Sequence, residues 1–431
     1  MSSAVSVQDQ VRPGECVDLF YYDGETSKKQ CFPTTQNTKF IQQFQNNNGG
    51  SSVFTIPPNT GIQDVVCEFR VAGAASTGLT LNRSWGYALI KQVSFRYGGS
   101  SQFFLTGDQI FQNALRKQTS TASADQIAAL GGTLATSSAG GISQVTNLLT
   151  SDQTAAIVLT LPHNVPSGVG KAHPFPTDLL TQQVQITVEL LPLASIVSVA
   201  AGGGASNPYT VYAAGLTNAQ FVVQQVALNN MGDSLARRVD MAVNAYAFPC
   251  EFVQQVQRIP VANSASSQSL VLTGFRSGEV KAIHCWLTRA ADTTPLASGA
   301  TGVYNPFNWQ LPLAIQMTYA GDIYARYDYA SSPLWNLING NKAPFVNLTY
   351  LTTGTPTTVA AQASQWVELP FAQTMVDEDA HYVLSHGKPI TNGIVNIDLT
   401  TPTAQADWTL NVSYIYNSTL LMSQGTCDYV F

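Results

Sequence analysis

Five histidines, His163, His173, His284, His381 and His386, are the side chains best suited to hold a metal or move a proton, and they lie far apart along 431 residues. His163 and His173 are spaced so that both could reach one ion, but Pro166, Gly168 and Gly170 between them describe a surface loop. Asp377, Glu378 and Asp379, with His381, offer oxygen ligands for Ca²⁺ or a carboxylate pair for glycoside hydrolysis. Adjacent acids on an extended chain point apart, so a solvated turn is expected there. Gly202, Gly203 and Gly204 lack the strand-to-helix context of a phosphate loop and read as a flexible link. Tyr324, Tyr327, Tyr329 and Trp335 would suit a sugar-stacking platform, but such a cluster is more often core or subunit interface. Asn82, Asn347, Asn411 and Asn417 each begin an N-x-S/T glycan-acceptor pattern, which a chain rich in Asn, Ser and Thr produces by chance. No H-E-x-x-H, G-x-S-x-G or G-x-x-x-x-G-K-[ST] motif occurs. No catalytic, cofactor-binding or metal-binding residue is assigned, no cofactor is implied, and an enzyme is not expected.

Charge points elsewhere than chemistry. Lys and Arg number 20 against 26 Asp and Glu, a net −6, and charged residues make up only 11% of the chain, where roughly 25% is usual. A net-acidic chain without a basic track argues against nucleic-acid reading, which needs clustered Lys and Arg. Gln, Asn, Ser, Thr and Ala stand where Lys and Glu would otherwise coat the surface. Such side chains form close contacts without the desolvation cost of burying ions, so the surface suits being covered by neighbours. Met1 to Gln10 shows no secretory signal, and the longest weakly apolar stretch, Leu190 to Ala201, is too short to span a membrane. The six cysteines are scattered without C-x-x-C spacing and read as reduced and structural.

The elements that would position any site are strands. Alternation of period two places Val65, Cys67, Phe69 and Val71 on one face, then Val184, Ile186, Val188 and Leu190, then Trp408, Leu410, Val412, Tyr414 and Tyr416. Each run is expected to be half-buried, with one face on a core. Further strands are expected over Ser52–Ile56, Ala88–Tyr97, Ala155–Leu161, Phe221–Leu228, Gln268–Thr273, Glu279–Leu287, Leu311–Tyr319 and Ile394–Leu399. Helices are few. Thr106 to Gln109 and Ser123 to Gln126 have capping-box spacing, and Ser332-Pro333 supplies a cap and a first-turn proline. A longer helix is expected over Asp233–Tyr246.

The chain also repeats itself at a period near half its length. Ser52–Ile56 and Asp64–Val71 parallel Ser269–Thr273 and Glu279–Trp286. The run from Ala88 to Gly99 parallels Leu313 to Gly321, Val158–Pro162 parallels Trp366–Pro370, and Val184–Leu190 is matched to Trp408–Tyr414. Strands in two tandem sets with helices confined to connections select a pair of β-sandwiches.

The block Trp85-Gly-Tyr-Ala-Leu-Ile-Lys-Gln-Val-Ser-Phe-Arg-Tyr-Gly-Gly-Ser-Ser-Gln-Phe-Phe-Leu-Thr-Gly-Asp-Gln-Ile110 resembles a segment of the double jelly-roll major capsid proteins. These build virophages, polinton-like viruses, nucleocytoplasmic large DNA viruses and tailless membrane-containing phages, with adenovirus hexon more distant. Thr119 to Ser151, rich in Gly, Ser, Thr and Ala, departs from the pattern, as does the lack of a long insertion in the second half. The resemblance implies an all-β fold of two tandem eight-stranded jelly-roll sandwiches with short connecting helices. It divides the chain into an N-terminal arm (1–50), a first roll (51–230) and a second roll (231–431). It further implies a homotrimer with a pseudo-hexameric outline and contacts with neighbouring capsomers and with penton and minor capsid proteins; the polar arm reads as a segment that orders against a neighbour or an underlying membrane. The expected location is the virion, assembled in the host cell interior. The competing readings are a carbohydrate-binding or adhesive tandem β-sandwich, which would normally carry an export signal, and a jelly-roll glycosidase, which needs two carboxylates across a cleft.

Overall fold

A computed structural model describes residues 36–116, 146–161, 175–227, 245–261, 268–328, 366–371, 388–401 and 408–430, with short breaks inside these spans. In the first half the strands are β1 (Gln36–Gln43), β2 (Gly50–Ile56), β3 (Thr60–Val71), β4 (Leu79–Asn82), β5 (Ile90–Tyr97), β6 (Gln102–Thr106), β7 (Thr146–Leu148), β8 (Gln153–Leu159), β9 (Phe175–Pro176), β10 (Val184–Leu190), β11 (Ser198–Val199) and β12 (Asn218–Ala227). In the second they are β13 (Tyr246–Val253), β14 (Gln257–Pro260), β15 (Gln268–Leu272), β16 (Glu279–Arg289), β17 (Ala314–Tyr319), β18 (Asp322–Asp328), β19 (Val367–Pro370), β20 (Lys388–Pro389), β21 (Val395–Thr400), β22 (Trp408–Ser423) and β23 (Thr426–Val430).

Spatial order shows the duplication directly. The first half stacks a sheet β1-β12-β3-β8 against a sheet β2-β10-β5-β6, and the second stacks β13-β22-β16-β19 against β15-β21-β17-β18. Each half is therefore an eight-stranded roll with the same strand order, and the two together are a double jelly roll. Short strands are added around this frame. β9 extends the edge beside β3, β14 and β23 lie along β22, β20 lies beside β16, and β11-β4-β7 form a small third sheet.

The order also corrects one pairing of the repeat. Val184–Leu190 is β10, flanked by β2 and β5, so its counterpart is β21, flanked by β15 and β17. Trp408–Tyr414 opens β22, which lies beside β16 and corresponds to β12. Alternation of period two is the same in every half-buried strand, so it cannot tell one sheet's strand from its neighbour in the other sheet.

Inside the first roll, the row Val65, Cys67, Phe69 and Val71 is fully buried and faces Phe54, Val93, Phe95, Val184, Ile186 and Val188. In the second, Leu410, Val412 and Tyr414 meet Ile315, Met317, Ile397 and Leu399 in the same way. β22 departs from the expected half-burial, because Asn411, Ser413 and Ile415 on its other face are buried too. Something other than its own roll covers that face.

Three further expectations shift. Ala88 and Leu89 belong to a short helix, Trp85–Leu89, and the strand starts at Ile90. All five helical residues are buried, so neither the 3.6 nor the 2.0 period was visible there. The helix expected to end at Tyr246 is contradicted there, since Tyr246 opens β13; residues 231–244 lie outside the described span. β13 carries Pro249 at a sheet edge, where a residue without an N–H is tolerated. Within the segment read as an arm, Gln36–Gln43 forms β1, paired along its length with β12. Of the capped helices, the one after Thr106 is present over Gly107–Arg116, and those at Ser123 and Ser332 lie outside the described residues.

Gly107 has a steric reason for its identity. A Cβ there would strike the carbonyl oxygens of Tyr87 and Ile90, where the new helix crosses the preceding one. Gly107→Ala is expected to destabilise the fold by about 1–3 kcal/mol, read as a lowered thermal midpoint.

Candidate functional site

Part of the cover over β22 is the first roll. Gln109 is the N3 residue of the helix Gly107–Arg116, and its side-chain oxygen accepts the Thr106 N–H at 3.1 Å, the backward half of a capping box. Its amide nitrogen donates to the Gln254 carbonyl at 2.7 Å and to Ser413 Oγ at 3.0 Å, both in the second roll. One glutamine thus closes a helix end and ties the rolls together.

Two residues on, Phe111 is fully buried and meets Tyr87 of its own roll at 4.8 Å, Phe307 at 4.7 Å and Trp309 at 5.9 Å. Trp309 in turn contacts Trp286 and Trp366 at 6.1 and 5.8 Å. Aromatic pairs at these distances add roughly 0.5–1.5 kcal/mol each beyond the area they bury. Phe307 and Trp309 come from the connection between β16 and β17, which runs across the first roll. Asn82 Nδ2 donates to Asn305 Oδ1 at 2.6 Å, Tyr209 Oη to the Leu296 carbonyl at 2.6 Å, and the Tyr304 N–H to Ser198 Oγ at 3.0 Å.

A second contact covers an edge. β6 ends the first roll's sheet, and its Phe103 meets Phe252 of β13 at 5.2 Å and Tyr429 of β23 at 6.0 Å. Thr181 donates through both its N–H and its hydroxyl to the Gly425 carbonyl, at 2.9 and 3.0 Å. The long β22 carries β13 and β23 out past its own roll, so that they close the flank of the first. The seam combines aromatic contacts with hydrogen bonds between neutral groups, and the buried residues of the two rolls form one continuous core.

Ionic groups are sparse within it. Lys281 Nζ and Glu251 Oε1 pair at 2.7 Å and are nearly sealed from solvent, which holds β16 against β13 across β22. Cys67, Cys250, Cys285 and Cys427 are buried free thiols. Burial pushes the Cys67 and Cys285 thiols far up, which keeps them protonated and unreactive.

The residues first considered for chemistry do not converge. His284 is buried beside Trp366 at 5.9 Å. His163, His173, His381, His386, the acids 377–379 and Gly202–Gly204 lie outside the described residues. Of the aromatic candidates, Tyr324 is the extra residue of a bulge between β17 and β18. Its ring is taken by Lys388, whose ammonium stands 4.3 Å from the centroid, and by Phe371 at 5.4 Å. Tyr329 and Trp335 lie outside the described span. Asn82 and Asn411 are buried and hydrogen-bonded, to Asn305 and to Thr288, so neither can accept a glycan in the folded chain. Among the described residues no group of three or more His, Cys, Asp or Glu gathers as a metal site, and no helix is long and apolar enough to cross a membrane.

No family model and no curated protein matches the chain by sequence. Solved structures do match its fold. PBCV-1 VP54, fitted into a reconstruction of the virophage Sputnik, is 11% identical with a TM-score of 0.58, over 94% of this chain and 99% of that one. The Sputnik virophage structure gives 10% and 0.53, over 92% and 88%. The mavirus major capsid protein gives 10% and 0.52, over 98% and 97%. These are double jelly-roll capsid proteins, and the likeness runs through both rolls. The duplicated sandwich expected from the sequence is the fold of this chain.

Proposed function

We propose that this chain is a major capsid protein, the repeating structural subunit of an icosahedral virus shell, located in the virion and without catalytic activity. The observation that carries the reading is the seam: two rolls of identical strand order are locked by Gln109, Phe111 and Phe103 into one rigid tile. The fold neighbours bear capsid names, and the charge-poor composition suits a surface that ends up against other copies. In this reading three chains close into a ring through a heterologous contact, and two like wedges per chain give a six-cornered outline. Such capsomers would meet one another, penton and minor capsid proteins, and, through the N-terminal segment within residues 1–50, an internal membrane. The two rolls divide between β12 and β13, near residue 230.

Light scattering of the purified protein tests this. A species of three times the chain mass, or closed shells under the electron microscope, is the expected result. A monomer at every concentration would overturn it.

A further inference from the structure

Among the described residues, Lys281 and Glu251 form an ion pair almost sealed from water, with side chains 1% and 9% exposed. A buried pair of this kind is weak evidence for stability, since well-packed apolar residues of similar volume commonly serve as well or better. Its placement suggests chemistry instead.

A bulge aims the lysine. Along β16 the register with β22 sets Glu279 opposite Asn417, Val280 opposite Tyr416 and then Ala282 opposite Ile415, so Lys281 is an extra residue. Bulges re-aim side chains and are frequent beside active sites. The Lys281 carbonyl accepts the Phe371 N–H at 2.9 Å, which fixes the bulged backbone. From there the side chain crosses over β22 to β13, where Nζ stands 2.7 Å from Glu251 Oε1.

Asn417 flanks that crossing. It is directly opposite Glu251 in the pairing of β13 with β22, and such residues project from the same face with Cβ atoms roughly 4.5–5.5 Å apart. Asn417 is half-buried, and its Nδ2 donates to the exposed Glu279 at 3.5 Å. A buried amine, a carboxylate touching it and a carboxamide beside them are the groups that an intramolecular amide exchange requires.

We infer that Lys281 and Asn417 join in a side-chain amide that the chain forms by itself, with Glu251 as the proton carrier. One proton passes from Lys281 Nζ to Glu251 across their contact, a transfer that burial favours because water no longer stabilises the two charges. The freed lone pair on Nζ then forms a bond to Cγ of Asn417. Glu251 gives its proton to Nδ2 and takes a second from Nζ, the Cγ–Nδ2 bond breaks, and ammonia leaves past Glu279. One amide is made for one broken, one ammonia is lost, and nothing is oxidised or reduced. Holding the three groups together supplies the rate, and a site poor in water spares the product from hydrolysis. The result is a staple between β16 and β22, the central strands of their sheet. It does not depend on the capsid reading, because a lone chain can complete it.

The test is the intact mass of the purified, folded full chain, followed by a proteolytic peptide map. The expected mass is one ammonia below that of the sequence, with a branched peptide carrying both Lys281 and Asn417. Asn417→Ser is expected to keep its full sequence mass and to give no branched peptide. Glu251→Gln is expected to slow the joining at least about a hundredfold. If circular dichroism shows that Glu251→Gln does not fold, Asn417→Ser, at a half-buried position, carries the comparison. A folded, unsubstituted chain that keeps its full sequence mass would overturn the inference. So would a loss of ammonia without the branched peptide, which a backbone succinimide also produces. Joining at an unchanged rate in folded Glu251→Gln would remove Glu251 from the reaction and overturn the assignment.

Discussion

Val188→Asp is expected to leave no soluble protein, whereas Glu189→Gln, one residue on, is expected to change stability by less than about 1 kcal/mol. Val188 is fully buried in β10, opposite Ser52 on one side and Val93 on the other, at the centre of the first roll's sandwich. A carboxylate there loses its water, and its immediate cross-strand partners offer no charge in return. The penalty exceeds about 4 kcal/mol, a large part of the roughly 5–15 kcal/mol by which a domain is stable. Glu189 points the other way and pairs with Lys91 at 2.6 Å on the surface, where an ion pair contributes little. Soluble yield and thermal unfolding of the two variants, expressed side by side, provide the measurement. Native-like yield from Val188→Asp would mean that the inward row had been assigned to the wrong face.

That contrast also marks what the sequence made legible. Strands with one solvated face, such as β3 and β10, announce themselves, because water enforces alternation on one side and the core on the other. β22 could be located, but half of its environment could not be read. Asn411 and Ser413 looked like solvent-facing residues, yet both are buried, and Gln109 of the first roll reaches Ser413. Burial by a distant part of the chain leaves no local period. Gln109 shows the same limit in one side chain. Its capping role follows from spacing to Thr106, three residues away, whereas its bonds to Gln254 and Ser413 span 145 and 304 positions and have no local signature. β1 and β13 were missed for opposite reasons. Gln36–Gln43 is too polar to suggest a core strand, and Pro249 interrupts an otherwise convincing run.

Phe111→Ala is expected to lower stability by about 3–5 kcal/mol and, more informatively, to change how the protein unfolds. Phe111 touches Tyr87 within its roll and Phe307 and Trp309 from the other, so its removal opens a cavity on the seam itself. With the seam intact the two rolls share one core and should melt in a single calorimetric transition. Once loosened, each roll keeps its own sandwich interior, and two transitions are expected. Trp309→Ala on the facing side should act through the same contact. The double variant is then expected to fall short of the sum of the singles by about 0.5–3 kcal/mol, and strict additivity would show that the two rings are not energetically coupled. The functional consequence is separate from stability. A shell closes only if every tile holds the same angle between its rolls, because neighbouring contacts are fixed by that angle. Phe111→Ala should therefore yield soluble chains at low temperature that assemble into fewer closed particles, counted by electron microscopy. Shells as numerous as those of the unsubstituted protein would show that the seam sets stability without setting shape.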